Sequence, residues 1–162
     1  MSLNSKLIVC GTVSSQPVRA VIWPCLIKGI EIALAAPADI IGYMKSPDYR
    51  KLNPMGKIPT INDNGFILYE MPAILGYLCD KHHWNDLYPV DLVARVQINQ
   101  YLYTHQTLTR IATRKLMGPH VAAPFGGAGD EEGAVDPTER EMINTALKMP
   151  DMLARGQRMV AQ

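Results

Sequence analysis

Two prolines constrain this chain more than any stretch of its hydrophobic pattern, because each stands in the first turn of a helix that follows closely on a short apolar run. Pro17 comes after residues 6–10 (KLIVC) and Ser14-Ser15-Gln16, and Pro72 comes after residues 66–69 (FILY) and Glu70-Met71. A proline at a helix start loses no useful donor, and a serine hydroxyl just before it can accept the early backbone N–H groups. The first helix continues through Val18, Val21, Ile22, Cys25 and Leu26, an apolar face at helical spacing. Pro24 inside it removes a hydrogen bond and predicts a kink, and Gly29 ends it. The second helix buries Ile74, Leu75 and Leu78.

Between them, residues 30–35 (IEIALA) alternate like a strand, and residues 53–61 (NPMGKIPTI) form a turn feeding another. Residues 62–65 (NDNG) then turn a hairpin into residues 66–69. The order is βαβ, a helical crossover, then ββα. It predicts a parallel strand pair extended by an antiparallel hairpin and flanked by helices, an α/β thioredoxin-like domain (βαβαββα) over residues 1–83. Residues 90–117 form one long predicted helix, with Ile98, Tyr101, Leu102, His105, Leu108, Ala112 and Leu116 as a core or dimer stripe. On that stripe His105 is expected to be a satisfied interior or interface histidine and not a base. Residues 119–135 form a glycine-rich loop, and Asp136-Pro137-Thr138-Glu139 opens a final helix. Residues 88–162 thus make an all-α domain.

The charge balance excludes several classes of partner. Sixteen Lys and Arg against 15 Asp and Glu leave a net charge of +1, so no basic field exists for nucleic acid or an anionic membrane. No apolar run approaches the roughly 18 residues that a membrane span needs. Cys10, Cys25 and Cys79 are odd in number and never spaced C-x-x-C, so neither a disulfide framework nor a metal site is expected. A reducing, cytoplasmic location fits this usage.

Three pieces then stand in a telling order: Ser15-Gln16-Pro17-x-Arg19-Ala20, Asn53-Pro54-x-Gly56-Lys57-Ile58-Pro59, and Phe66-x-Leu68-x-Glu70-x-Pro72-Ala73-Ile74-Leu75-x-Tyr77-Leu78. In this order and spacing the chain resembles the theta-like branch of the glutathione transferase family. The likeness continues through Tyr88-Pro89 and Tyr101-Leu102. It covers nearly all of this chain, but not the further helices of a full transferase.

The resemblance implies glutathione as co-substrate, a small hydrophobic electrophile or a peroxide as second substrate, a role in detoxification, and a homodimer. Glutathione's thiol is mostly protonated near neutral pH, so the enzyme must stabilise its anion. Ser15 falls on the family's catalytic serine; the plainer alternative is that it only caps the helix. Ile58 and Pro59 fall on the family's cis-proline corner, where the residue before the proline offers its backbone to the cysteinyl part of glutathione. The alternative there is an ordinary trans turn. Lys57 is placed to neutralise a peptide carboxylate, or to be a solvated surface charge. Glu70 and the helix start at Met71 would hold the γ-glutamyl end, and Arg110 matches an arginine that lends positive charge.

Two residues depart from the family. Met71 replaces a serine or threonine whose hydroxyl binds the α-carboxylate, a loss of about 1.5–3 kcal/mol. Met44 falls near where theta members place a histidine. A second reading is therefore a glutathione-transferase-like binding or interaction protein with impaired catalysis. A third uses Cys10 as a redox thiol, against which stands its place inside an apolar strand, where cysteine is usually structural.

Overall fold

The computed structural model describes residues 6–110 and, farther on, residues 137, 138, 140, 141, 143–145 and 148. The chain divides into two compact units, Met1–Arg95 and Val96–Gln162.

The first unit follows the predicted order, with the crossover resolved into two short helices. Strand β1 (Leu7–Cys10) leads to α1 (Gln16–Ile27) and β2 (Ile32–Ala35). Helices α2 (Ile40–Lys45) and α3 (Pro47–Leu52) precede β3 (Thr60–Asp63), β4 (Phe66–Tyr69) and α4 (Met71–Lys81). The sheet runs β2-β1-β3-β4, with β1 and β2 parallel and the pairs β1/β3 and β3/β4 antiparallel. The hairpin turn is tighter than the sequence implied. Asn62 and Asp63 still belong to β3, and Asn64 and Gly65 alone make the turn, both at positive φ (56° and 92°) as a two-residue hairpin loop of this kind requires.

Val9 of β1 and Ile61 of β3 sit opposite one another and are fully buried, as are Val18 and Val21 of α1 and Ile74 of α4. Each such side chain contributes about 1.5–3 kcal/mol. That burial explains why Pro24 does not interrupt α1, which runs unbroken from Gln16 to Ile27: one missing backbone bond is small beside a buried face of Val18, Val21, Ile22 and Cys25.

Polar ties complete the unit. Asp63, 5% exposed at the end of β3, accepts hydrogen bonds from Tyr77 (2.8 Å) and from Lys81, both on α4. Arg95 donates twice to the Asp80 carboxylate (2.8 and 3.3 Å) and once to the Pro89 carbonyl, while its guanidinium lies over the Tyr88 ring. The start of α5 (Leu92–Thr104) is thereby fastened to α4.

Beyond Arg95 the expected long helix continues without a break to residue 110, but it is not α-helical throughout. After Thr104 the backbone widens into a π-helical segment, His105–Thr109, and no residue of α5 itself is buried. Ile98, Leu102 and Leu108 of the predicted stripe are half-buried and Tyr101 is exposed. His105 is buried at 7% exposure, and among the described residues neither ring nitrogen has a hydrogen-bond partner, so the satisfied-interior half of the expectation is not met. The residues described between 137 and 148 are helical, in line with a helix opening at Asp136-Pro137. The glycine-rich loop and residues 111–117 lie outside the described residues.

Candidate functional site

Strand register gathers the site. Cys10 of β1 stands opposite Thr60 of β3, and Thr60 stands opposite Tyr69 of β4, so three strand ends share one row. The next residue beyond each is Gly11, Pro59 and Glu70. Helices α1 and α4 both begin at this end, so two sets of unpaired helix-start N–H groups lend it positive potential. The structure thus brings together, within the first unit, the Ser15 loop, the Lys57-Ile58-Pro59 corner and Glu70-Met71.

Ser15 occupies the residue before α1 in an extended conformation (φ −77°, ψ 121°), but its hydroxyl makes no capping hydrogen bond. The plain capping alternative therefore does not hold, and the hydroxyl is not engaged by the helix it precedes. The loop in front of it is clasped by Arg19, whose guanidinium donates to the carbonyls of Val13 (2.7 Å) and Ser14 (3.0 Å). Arg19 stood in the sequence motif without a role; its signal was present, but its target was a backbone carbonyl that no pattern displays.

The Ile58-Pro59 peptide is cis. A Cβ added to Gly11 would stand 3.5 Å from the Ile58 Cβ, which places the corner directly beside the end of β1. Gly56 opens the corner at φ +60°, where a side chain would also meet the Met44 carbonyl at 2.9 Å, so glycine is required on two counts. Beneath it lies a polar cluster that sequence reasoning missed. Tyr49, fully buried on α3, donates to the Lys57 carbonyl (2.7 Å) and contacts the Thr60 hydroxyl (2.9 Å). Asn53, 2% exposed, donates to the same carbonyl (2.8 Å) and to Thr60 (3.1 Å). Lys57 itself is exposed.

Glu70 is exposed and has φ +71°, an uncommon backbone state for a residue with a side chain. Such outliers concentrate where function fixes the geometry. Its carboxylate does not cap α4. Met71 is 4% exposed, its side chain in the core, so only its backbone faces the helix start. Met44 is half-buried. Arg110 is helical and half-buried in the second unit.

All three cysteines are buried and free. Burial pushes the Cys10 thiol up, and the same cause raises Cys25 to about 11, so neither offers a ready thiolate. Among the described residues no group of three or more His, Cys, Asp or Glu could hold a metal ion, and no helix is long and apolar enough to cross a membrane.

Comparison with known proteins agrees with this geometry. Residues 18–81 match the family model of the glutathione S-transferase N-terminal domain. A glutathione S-transferase theta-2 of Rattus norvegicus is 31% identical over 151 residues, covering 91% of this chain and 61% of its own length. Glutathione S-transferase theta-2B of Homo sapiens is 40% identical over 138 residues, 83% of this chain and 55% of its own. A human theta-class glutathione transferase, solved in complex with the glutathione conjugate of 1-menaphthyl sulfate, superposes with a TM-score of 0.73 at 32% identity, over 89% of this chain and 59% of that one. The mixed sheet, the cis-proline corner and the two helix starts define a thioredoxin-like domain. Within that class residues 18–81 carry the glutathione S-transferase N-terminal domain, and the chain is similar to theta-class members of that family. It spans about 55–61% of the length of these curated relatives.

Proposed function

We propose that this chain binds glutathione through residues 1–83 and activates its thiol for transfer to a small electrophile, residues 88–162 being part of the helical domain. The observation that carries the reading is the meeting of an uncapped Ser15 hydroxyl, a cis Ile58-Pro59 corner and a strained Glu70 at one sheet end, beneath two helix starts. A tripeptide lying there would pair in strand fashion with Ile58. Glu70 would attract its amino group, and the Met71 backbone N–H its α-carboxylate. Lys57 would face the far carboxylate.

Ser15 then donates a hydrogen bond to the thiolate sulfur, aided by the positive end of α1. The thiol proton leaves to solvent. The sulfur lone pair forms a new S–C bond to an electrophilic carbon, and the electron pair of the broken bond departs with the leaving group. With a peroxide, sulfur would instead attack one oxygen, the electron pair of the broken O–O bond leaving on the other, which takes a proton from solvent. A second glutathione would convert the resulting sulfenic acid to the disulfide and water. The protein is read as a cytoplasmic homodimer with a detoxifying role.

One observation favours the second reading, of a binding protein with impaired catalysis: with the Met71 side chain in the core, the α-carboxylate has no hydroxyl partner from that position. The lost bond to a charged group lowers glutathione affinity about tenfold to a hundredfold. Titration with glutathione, with thiolate absorbance followed in the wild type and in Ser15→Ala, separates the two. Arg110, an expectation of the resemblance alone, is tested by Arg110→Ala, for which a severalfold weaker glutathione affinity is expected in calorimetry.

A further inference from the structure

We infer that Tyr49 is a positioning residue for ligand binding: its buried hydroxyl pins the Lys57 carbonyl and so aims the Ile58 N–H at the bound peptide. The inference rests on the glutathione-binding reading and goes beyond it, to a residue that no part of the ligand touches.

The distances favour one arrangement of the hydrogens, since the Thr60 hydroxyl lies 3.5 Å from the Lys57 carbonyl but 2.9 Å from the Tyr49 oxygen. Tyr49 has a single hydroxyl proton, given to the Lys57 carbonyl at 2.7 Å. Asn53 has two amide protons, given to that carbonyl at 2.8 Å and to the Thr60 hydroxyl at 3.1 Å, while its own oxygen accepts from the Met55 N–H at 3.0 Å. Thr60, already accepting from Asn53, uses its proton on the Tyr49 oxygen at 2.9 Å. Each polar atom of the cluster has a partner, and such closed networks hold one geometry. Burial also raises the Tyr49 pKa, against the opposing pull of Thr60, so the phenol stays a donor at any ordinary pH.

The consequence passes through one rigid unit. The Lys57 C=O and the Ile58 N–H belong to the same planar peptide and point in opposite directions. With the carbonyl drawn inward to Tyr49 and Asn53, the N–H is turned outward. Among the described residues it donates to no backbone acceptor, although Ile58 stands next to β3. An amide turned away from the protein in this manner is what an extended peptide needs in order to pair.

Tyr49→Phe removes the hydroxyl and keeps the ring, including its contact with Tyr43. In the ligand-free chain the Ile58 amide resonance is expected to shift and broaden in this variant. Glutathione affinity, measured by calorimetry, is expected to fall roughly tenfold, while the pH at which the bound thiol ionises stays at the wild-type value, since Ser15 is untouched. Thr60→Ser, which keeps a hydroxyl, should bind as the wild type does, and Thr60→Val should weaken binding. These two variants carry the test if Tyr49→Phe does not fold. An unshifted Ile58 amide, or wild-type affinity in Tyr49→Phe, overturns the inference. A fall in affinity accompanied by a moved thiol ionisation also overturns it, in favour of general disorder of the site. If the wild type itself binds no glutathione at millimolar concentration, the functional reading falls and the ligand role of Tyr49 with it.

Discussion

Ser15 and Met71 stand at comparable positions, each just before or at the first residue of a helix, and the fold uses them in opposite ways. The Ser15 hydroxyl is left out of helix capping, whereas the Met71 side chain is drawn into the core. The sequence made both residues visible, because the prolines that follow them mark the helix starts. It did not show which way either side chain faces, since that is decided by packing against distant residues. Met71→Ser would restore a hydroxyl beside the α-carboxylate at the cost of a core side chain. Affinity for glutathione is expected to rise about tenfold, while stability falls by about 2 kcal/mol or more, measured by calorimetry and urea unfolding. A loss of affinity would show that the α-carboxylate does not sit at this helix start. Tyr49 was illegible for a related reason: on a short helix it looks like any aromatic residue, and its partners lie 8 and 11 positions away.

At the scale of elements, α4 carries one end of the site, and its seat on the sheet depends on Asp63. Burial alone would raise the Asp63 carboxyl, but the bonds from Lys81 and Tyr77 outweigh it and hold the group below its ordinary 3.8. Its folded value is thus below its unfolded one. The stability it contributes is complete above about pH 3.8 and is lost as pH falls through the lower, folded value. Asp63→Asn is expected to cost about 1–3 kcal/mol at neutral pH and to flatten the acid limb of the unfolding curve followed by circular dichroism. Equal stability at pH 7 would contradict this. In the sequence Asp63 was read as part of a turn; the tight Asn64-Gly65 loop leaves it in the strand, where α4 can reach it. The π-helical turn at His105 was equally hidden, because a single π turn within a longer helix adds only one residue to the register, too little to show in the apolar pattern.

At the scale of the molecule, the thioredoxin-like order was legible because every strand and helix of the first unit is local, and each is announced by glycine, proline or an Asn-Gly turn. The second unit was read from helical periodicity and one helix-start signal, neither of which says what a face packs on. The first unit also exposes an apolar stripe on α1: Trp23 (60%), Leu26 (59%) and Ile27 (80%). Apolar stripes of this kind favour association. Sedimentation equilibrium at micromolar concentration is expected to give twice the chain mass, as the homodimer reading requires, and a monomeric mass throughout would contradict that reading.

The central claim is that one end of the sheet binds glutathione and ionises its thiol through Ser15. It is tested most directly by titrating the chain with glutathione while recording thiolate absorbance, in parallel with Ser15→Ala. Binding in the micromolar to low-millimolar range, with a thiolate signal that disappears in Ser15→Ala although glutathione still binds, is the expected result. No binding at millimolar glutathione, or a thiolate signal unchanged in Ser15→Ala, would contradict it.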